Sequence, residues 1–198
     1  MHIDTKTRGR RTDEALEIVR RLWREESVDF VGEHFRLTGA SISPKPLRAD
    51  LPMWIGGGSQ AAIRRTARFG TGWLGGPETP AEAGKVVAGI HAALAQTGRA
   101  IDDDHYGASF PFHFGRVSDA SLERAMQAYQ TRTGRDARQY FAIGDADAIV
   151  SRIAEYVEAG VSKFVLRPAA ASDEAMSQTQ QLIKDVLPIV ADRWPKPA

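Results

Sequence analysis

At 198 residues, 42% of them hydrophobic and 26% charged, the chain has the length and balance of one globular domain with a sizeable core. Its 26 Lys and Arg nearly cancel 25 Asp and Glu, so a net charge of +1 excludes the broad basic field that nucleic acid or an anionic membrane would need. The absence of cysteine excludes disulfides, thiolate metal sites and a thiol nucleophile. Met1 to Lys6 carry no apolar signal run, and no stretch approaches the roughly 18 apolar residues of a membrane span. A soluble cytoplasmic protein is expected.

In chain order, Ala15, Leu16, Val19, Leu22 and Trp23 recur at helical spacing, which predicts an amphipathic helix with Thr12 as its N-cap. Arg8, Arg10, Arg11, Arg20, Arg21 and Arg24 interleave with Asp13, Glu14, Glu17, Glu25 and Glu26, the pattern of a solvated mixed-charge face rather than a basic arm. The runs 28–31 and 34–37 flank Gly32-Glu33 and read as a small hairpin. Pro44-Lys45-Pro46 then forces an extended segment, because proline fixes its own φ and restricts its predecessor.

Short apolar strands alternating with helices follow. Strand 53–55 leads through Gly56-Gly57-Gly58 into a helix over about 59–69, and strand 72–74 leads through Gly75-Gly76-Pro77 into a helix opening at Pro80. Thr79-Pro80-Ala81-Glu82 has the form of a capping box with proline at the first helical position. A third strand is expected over 109–117 before a helix over 119–132, another helix after Asp145 closed by Gly160, and a fourth strand over 163–166. Ser172 is expected to cap a final helix through Val190. Parallel neighbours need crossovers of about a dozen residues, so this alternation predicts the α/β class. Four strands are half of a closed eight-stranded barrel, which typically takes about 250 residues.

The ordered segments Arg10-Arg11-Thr12-Asp13-Glu14-Ala15-Leu16, Leu22-Trp23, Val28-Asp29-Phe30-Val31-Gly32, Pro44-Lys45-Pro46, Pro52-Met53-Trp54-Ile55-Gly56-Gly57 and Ala67-Arg68-Phe69-Gly70-Thr71-Gly72-Trp73 resemble the second half of luciferase-like flavin-dependent oxidoreductases. Ala159 to Pro168 resembles that family's last barrel strand and its lead-in, so the likeness covers nearly the whole chain. The resemblance implies a partial TIM barrel whose strands are the fifth to eighth, with about four further β/α units ahead of them in the family. It implies reduced FMN, or alternatively the deazaflavin coenzyme F420, used for monooxygenation or hydride transfer on a small organic substrate. Four parallel units also leave open sheet edges and an uncovered face, which makes a non-catalytic, dimerising half-barrel the competing expectation and a homodimer the expected assembly.

Gly56, Gly57, Gly58 and Ser59 lie between a strand and a helix, where backbone free of Cβ atoms and the first-turn N–H groups can receive a phosphate. The resemblance assigns the flavin phosphate to this strand end; a tight turn with Ser59 as an ordinary N-cap is the plain alternative. The same residues match Gly-x-Gly-x-x-Ala with Ala61 last, but a dinucleotide site wants an acid about 20 residues on, at the next strand end, and none comes before Glu78. Arg64, Arg65 and Arg68 on the following helix read as solvated charges. Trp73 is either a pocket wall or a core aromatic. His113 shares a strand face with Ser109 and Pro111, opposite Phe110, Phe112 and Phe114, and is either a substrate contact or a hydrogen-bonded structural histidine. Arg167 ends the last strand either as an anion contact that binds the cofactor or substrate or as a salt-bridge partner of a neighbouring loop. His2, His34, His91 and His105 share no ligand spacing, and Asp102-Asp103-Asp104 reads as a solvated turn, so no metal is expected.

Overall fold

The computed structural model describes residues 4–117 and 119–195, so His2 lies outside the described part. Its frame is one parallel sheet of β3 (Trp54–Gly56), β4 (Gly72–Gly75), β5 (Tyr106–Phe114), β6 (Ala142–Gly144) and β7 (Lys163–Pro168). The crossovers are α2 (Gln60–Phe69), α3 (Pro80–Thr97), α4 (Ala120–Thr133) and α5 (Ala146–Glu158). This is the α/β arrangement of a partial barrel.

Strands β3, β4, β5 and β7 are neighbours in chain order, with Trp73 opposite Tyr106 and Ser109 opposite Val165. The fifth strand, β6, is an addition to the four expected. Phe112 pairs with Ala142 on one side and Pro168 on the other, so β6 occupies the edge of β5 that β4 vacates beyond Ala108. β5 begins at Tyr106 rather than Ser109 because β4 and β7 both pair with its small residues Gly107 and Ala108, which carry no apolar signature of their own.

Pleating sorts the side chains of β5. Phe110, Phe112 and Phe114 are buried toward the helices, where the Phe110 ring stacks on Tyr156 at 5.0 Å among Trp73, Ile90 and Ile149. Fully burying each such side chain stabilises the fold by about 1.5–3 kcal/mol. The opposite, concave face carries Ser109, Pro111 and His113, with Val165 and Arg167 beside them on β7. The Trp54 ring spreads over this face so closely that a Cβ on Gly72 would stand 2.6 Å from it and one on Gly107 3.1 Å. Val165 remains 49% exposed there, so among the described residues nothing covers the middle of the face.

Ahead of the sheet run α1 (Arg8–Arg24) and the antiparallel hairpin of β1 (Val28–Val31) and β2 (Arg36–Ala40). Thr12 is not the N-cap of α1. A short 3-10 turn capped by Asp4 feeds straight into the helix, leaving Thr12 inside it with its hydroxyl donating to the Arg8 carbonyl at 2.8 Å. Of the helix only Ile18 is buried, and the expected face of Ala15, Leu16, Val19, Leu22 and Trp23 is half-covered, because α1 packs mainly on α2 and β1 rather than on the sheet. The Glu14 carboxylate accepts the N–H groups of Glu33 (2.8 Å), His34 (3.0 Å) and Phe35 (3.0 Å), which fastens the hairpin turn to α1.

The capping box of α3 forms as expected: Thr79 Oγ1 accepts the Glu82 N–H and the Glu82 carboxylate accepts the Thr79 N–H at 3.0 Å. Ser172 caps nothing. It lies in a turn before α6 (Ala175–Gln181), which runs through one wider turn over 182–186 into α7 (Leu187–Arg193). Among the described residues no helix is long and apolar enough to cross a membrane.

Candidate functional site

Because the strands are parallel, their carboxyl ends meet on one side, the side where βα loops of this architecture carry active sites. The first loop there is the glycine junction after β3. Gly57 has φ +98°, a conformation an L side chain rarely adopts, and a Cβ on Gly58 would sit 2.9 Å from Glu78 Oε1 and 3.2 Å from Val86 Cγ2. Ser59 is the N-cap of α2: its Oγ accepts the Ala62 N–H at 3.2 Å and its carbonyl accepts the Ile63 N–H at 2.9 Å. The N–H groups of Gln60 and Ala61 have no acceptor within the helix, and residues 56–60 are exposed. The junction can therefore present two backbone donors, the Ser59 hydroxyl proton and the positive end of α2 to an anion.

Trp73 is wholly buried, and its indole N–H donates to the Gly57 carbonyl at 3.0 Å. It acts on the junction from below, holding the loop's shape, and presents no surface to a ligand in this chain.

The second loop, after β4, is pinned from several directions. Glu78 accepts the Gly76 N–H at 2.6 Å, and its own carbonyl accepts the Tyr156 hydroxyl at 2.7 Å. Tyr140 Oη lies 2.7 Å from the Gly76 carbonyl and 2.6 Å from that of Ser109, so one hydroxyl proton serves two acceptors. Arg135 donates to the Pro77 carbonyl at 3.2 Å and to Glu82 at 3.0 Å. Burial pushes the Tyr140 hydroxyl above its ordinary pKa, with the Arg167 charge pulling the other way, so it stays a donor at neutral pH. The Glu78 carboxylate beside Gly58 works against an anion, which leaves the open N–H groups of Gln60 and Ala61 to carry the junction's affinity. None of these pins was legible in the sequence, since Tyr140 stands 64 residues from Gly76.

His113 is buried between two acceptors: Nδ1 is 2.9 Å from the Ala169 carbonyl and Nε2 is 2.8 Å from Asp119 Oδ2. Both ring nitrogens are thus engaged within the protein, and neither is left for a substrate. The ring ties the end of β5 to the segment after β7 and to the loop before α4. The hydrogen bond from His113 and then the Arg116 N–H hold the Asp119 carboxyl below the usual carboxylate range, against the effect of burial. Gly115, at φ +148°, lets that loop close, since a Cβ there would collide with the Asp119 carboxylate.

Arg167 is exposed at the end of β7 and donates from Nη2 to Tyr140 Oη at 3.0 Å. Among the described residues it has no carboxylate within salt-bridge distance, so the ion pair weighed for it from sequence does not form there. Arg65 and Arg68 turn away from the strand ends toward α1, meeting Asp13 at 2.6 Å and Glu17 at 3.0 Å, while Arg64 stays exposed. At the opposite end of the sheet, ligand atoms of Asp102, Asp104 and His105 lie within 4.8 Å of one another, a grouping that the spacing argument did not foresee. A Lys163–Asp104 ion pair at 2.7 Å accounts for the position of its middle member.

With this geometry in place, comparison with known proteins gives consistent matches. The family model for luciferase-like monooxygenases matches residues 1–140. An F420-dependent glucose-6-phosphate dehydrogenase of Nocardia farcinica strain IFM 10152 is 25% identical over 185 residues, covering 81% of this chain and 55% of that protein. Two solved structures share the fold. An F420-dependent secondary alcohol dehydrogenase in complex with an F420–acetone adduct superposes with a TM-score of 0.76 at 15% identity, over 94% of this chain and 63% of that one. The monooxygenase RslO1 of Streptomyces bottropensis does so with a TM-score of 0.75 at 19% identity, over 96% and 64%. The chain thus spans less than two thirds of the length of each of these three proteins.

Proposed function

Since the chain belongs to the luciferase-like monooxygenase family, we propose that it supplies the cofactor-anchoring half of an oxidoreductase that works on a small organic substrate with a flavin-type carrier. The deazaflavin F420 is the first reading, supported by the name of the dehydrogenase relative, and FMN is the second, in keeping with the monooxygenase family. A bound carrier of either kind would supply the hydride or electron pair of the reaction. The residues of this chain bind and orient it. Gln60 and Ala61 offer N–H groups to the phosphate, Gly57 and Gly58 let it approach, Ser59 adds a hydroxyl donor, and Trp73 holds the loop in place.

The observation that carries this reading is the open N–H pair at a left-handed glycine junction on the carboxyl side of a parallel sheet. It is tested by equilibrium dialysis of FMN against riboflavin, and of F420 against its phosphate-free deazaflavin fragment. A phosphate anchor makes each phosphorylated form bind at least about tenfold tighter, the worth of one or two charge-assisted hydrogen bonds. Equal affinities within both pairs would remove the phosphate from the junction.

A second proposal concerns assembly. The outer edges of β3 and β7 have no strand partner among the described residues, and the concave face between them shows Trp54, Leu74 and a half-exposed Val165. Two copies related by a twofold axis along the strands would set β7 of one beside β3 of the other; leaving the added β6 aside, the β3, β4, β5 and β7 of each copy make eight parallel strands, the number that closes such a barrel.

A further inference from the structure

We propose that the cleft between α4 and the carboxyl ends of β5 and β7 is a subsite for a carboxylate or phosphate group of the substrate, held by Arg132 and Arg167. The proposal rests on the reading of this side of the sheet as the reaction face.

The cleft encloses about 220 Å³, and Arg132, Arg167, Tyr129, Tyr140, Pro111 and Ala125 are among its walls. No carboxylate lines it, and neither arginine has an ion-pair partner among the described residues. Both arginines line the cleft while remaining exposed to solvent, so their charges reach the same opening. A third observation points the same way. Tyr129 is 4% exposed and its hydroxyl, buried in the same wall, has no hydrogen-bond partner among the described residues. Buried polar groups are nearly always satisfied, and an unsatisfied one costs about 1–3 kcal/mol, so this hydroxyl, shut off from solvent behind the cleft wall, gains a partner only when a bound group shifts the wall.

The geometry around Arg167 is prepared for an anion. Tyr140 Oη takes one N–H of the guanidinium, while its own proton serves the carbonyls of Gly76 and Ser109. That bond holds one end of the fork, and its other donors have no partner among the described residues. The Tyr140 ring is in turn held against Tyr129, stacked at 5.0 Å. Paired oxygens at fixed separation, as in a carboxylate or phosphate, suit guanidinium forks in a way that a neutral carbonyl does not. The volume sets the size of the group. A cleft of about 220 Å³ falls below the roughly 300–1,000 Å³ of sites that enclose whole drug-sized ligands, so it suits the charged end of a small substrate and not a flavin ring system.

The test uses the 198-residue chain with inorganic phosphate and with malonate as probes, followed by ¹H–¹⁵N shifts of the arginine Nε–H groups and by calorimetry. Saturable binding of either probe is expected to move the Arg167 signal. Arg132→Met and Arg167→Met should each weaken it about tenfold, and the double variant should abolish it. Tyr129→Phe should weaken it severalfold while the melting temperature holds or rises, because the substitution removes a buried unpaired hydroxyl. Absence of binding by both probes, or undiminished binding in the double arginine variant, overturns the proposal. Binding that survives in the double variant but is lost in Gly57→Val would assign the anion to the glycine junction, leaving the cofactor reading intact while removing this one. A double variant that loses F420 and FMN together with the probes would show that the arginines hold the cofactor's phosphate, which also overturns it. Probe binding at the arginines in a chain that takes up neither cofactor would support the subsite and count against the cofactor reading alone.

Discussion

Trp73 and His113 show what single residues contribute to this site and how much of that a sequence can disclose. A tryptophan at a strand end beside glycines was equally compatible with a pocket wall and with the core. The structure buries it and spends its N–H on the Gly57 carbonyl. Trp73→Phe is expected to cost about 1–2 kcal/mol in denaturant unfolding, from one hydrogen bond and some packing. It should also weaken cofactor affinity, since the loop loses its brace; unchanged affinity with unchanged stability would separate Trp73 from the junction. For His113, alternation along β5 located the correct face. The partners were invisible, because Ala169 stands 56 residues away in the chain, and Asp119, though only 6 away, is reached through an irregular loop that leaves no periodicity. Asp119 has a folded-state pKa below its unfolded one, so the stabilisation it provides is present above the unfolded carboxylate pKa and is lost as pH falls through the folded value. Asp119→Asn should accordingly lower stability at neutral pH, flatten the acid limb of the stability–pH curve below about pH 4, and converge with the parent chain at the acid end. An acid limb as steep as that of the parent chain would contradict the pairing.

At the scale of elements, strands flanked by glycine turns were the legible part. Trp54–Gly56, Gly72–Gly75 and Lys163–Pro168 each combine a short apolar run with a following turn or proline, and their helices announce themselves by caps such as Thr79 and Asp145. Three-residue β6 was not legible, since Ala142-Ile143-Gly144 is too short for a period and becomes a strand only by pairing with the end of β5. The mixed-charge face of α1 hid a different kind of information. Glu14 resembled its neighbours as a solvated acid, yet it collects three backbone N–H groups of the hairpin turn. Burial would raise its pKa, but those bonds outweigh it and hold the carboxyl below its ordinary value. Glu14→Ala is expected to speed amide exchange at residues 33–35 by about tenfold or more while the protection of β5 is unchanged. Equal protection at 33–35 in both proteins would show that the turn stands without α1.

At the scale of the molecule, four strands in barrel order leave one broad surface that no described residue covers. The concave sheet face is apolar around Trp54, Leu74 and Val165 and bounded by two free edges, a combination that favours association over solvation. Light scattering on the purified chain should therefore report a dimer, and Val165→Glu, which sets a charge in the middle of the face, should shift it to monomer. A monodisperse monomer of the parent chain would end the pairing proposal. The architecture was legible from strand count and length, and the family from ordered motifs; the arginine cleft was not, because it is assembled from α4, β5 and β7, which meet only in the fold. The central claim, that this chain anchors a flavin-type carrier at its glycine junction, is tested most directly by a fluorescence titration of the chain with F420 and with FMN, alongside Gly57→Val. Saturable binding of one of them, lost in the variant whose side chain cannot adopt φ +98° without strain, is the predicted result. Binding of neither, or equal binding by parent and variant, would contradict it.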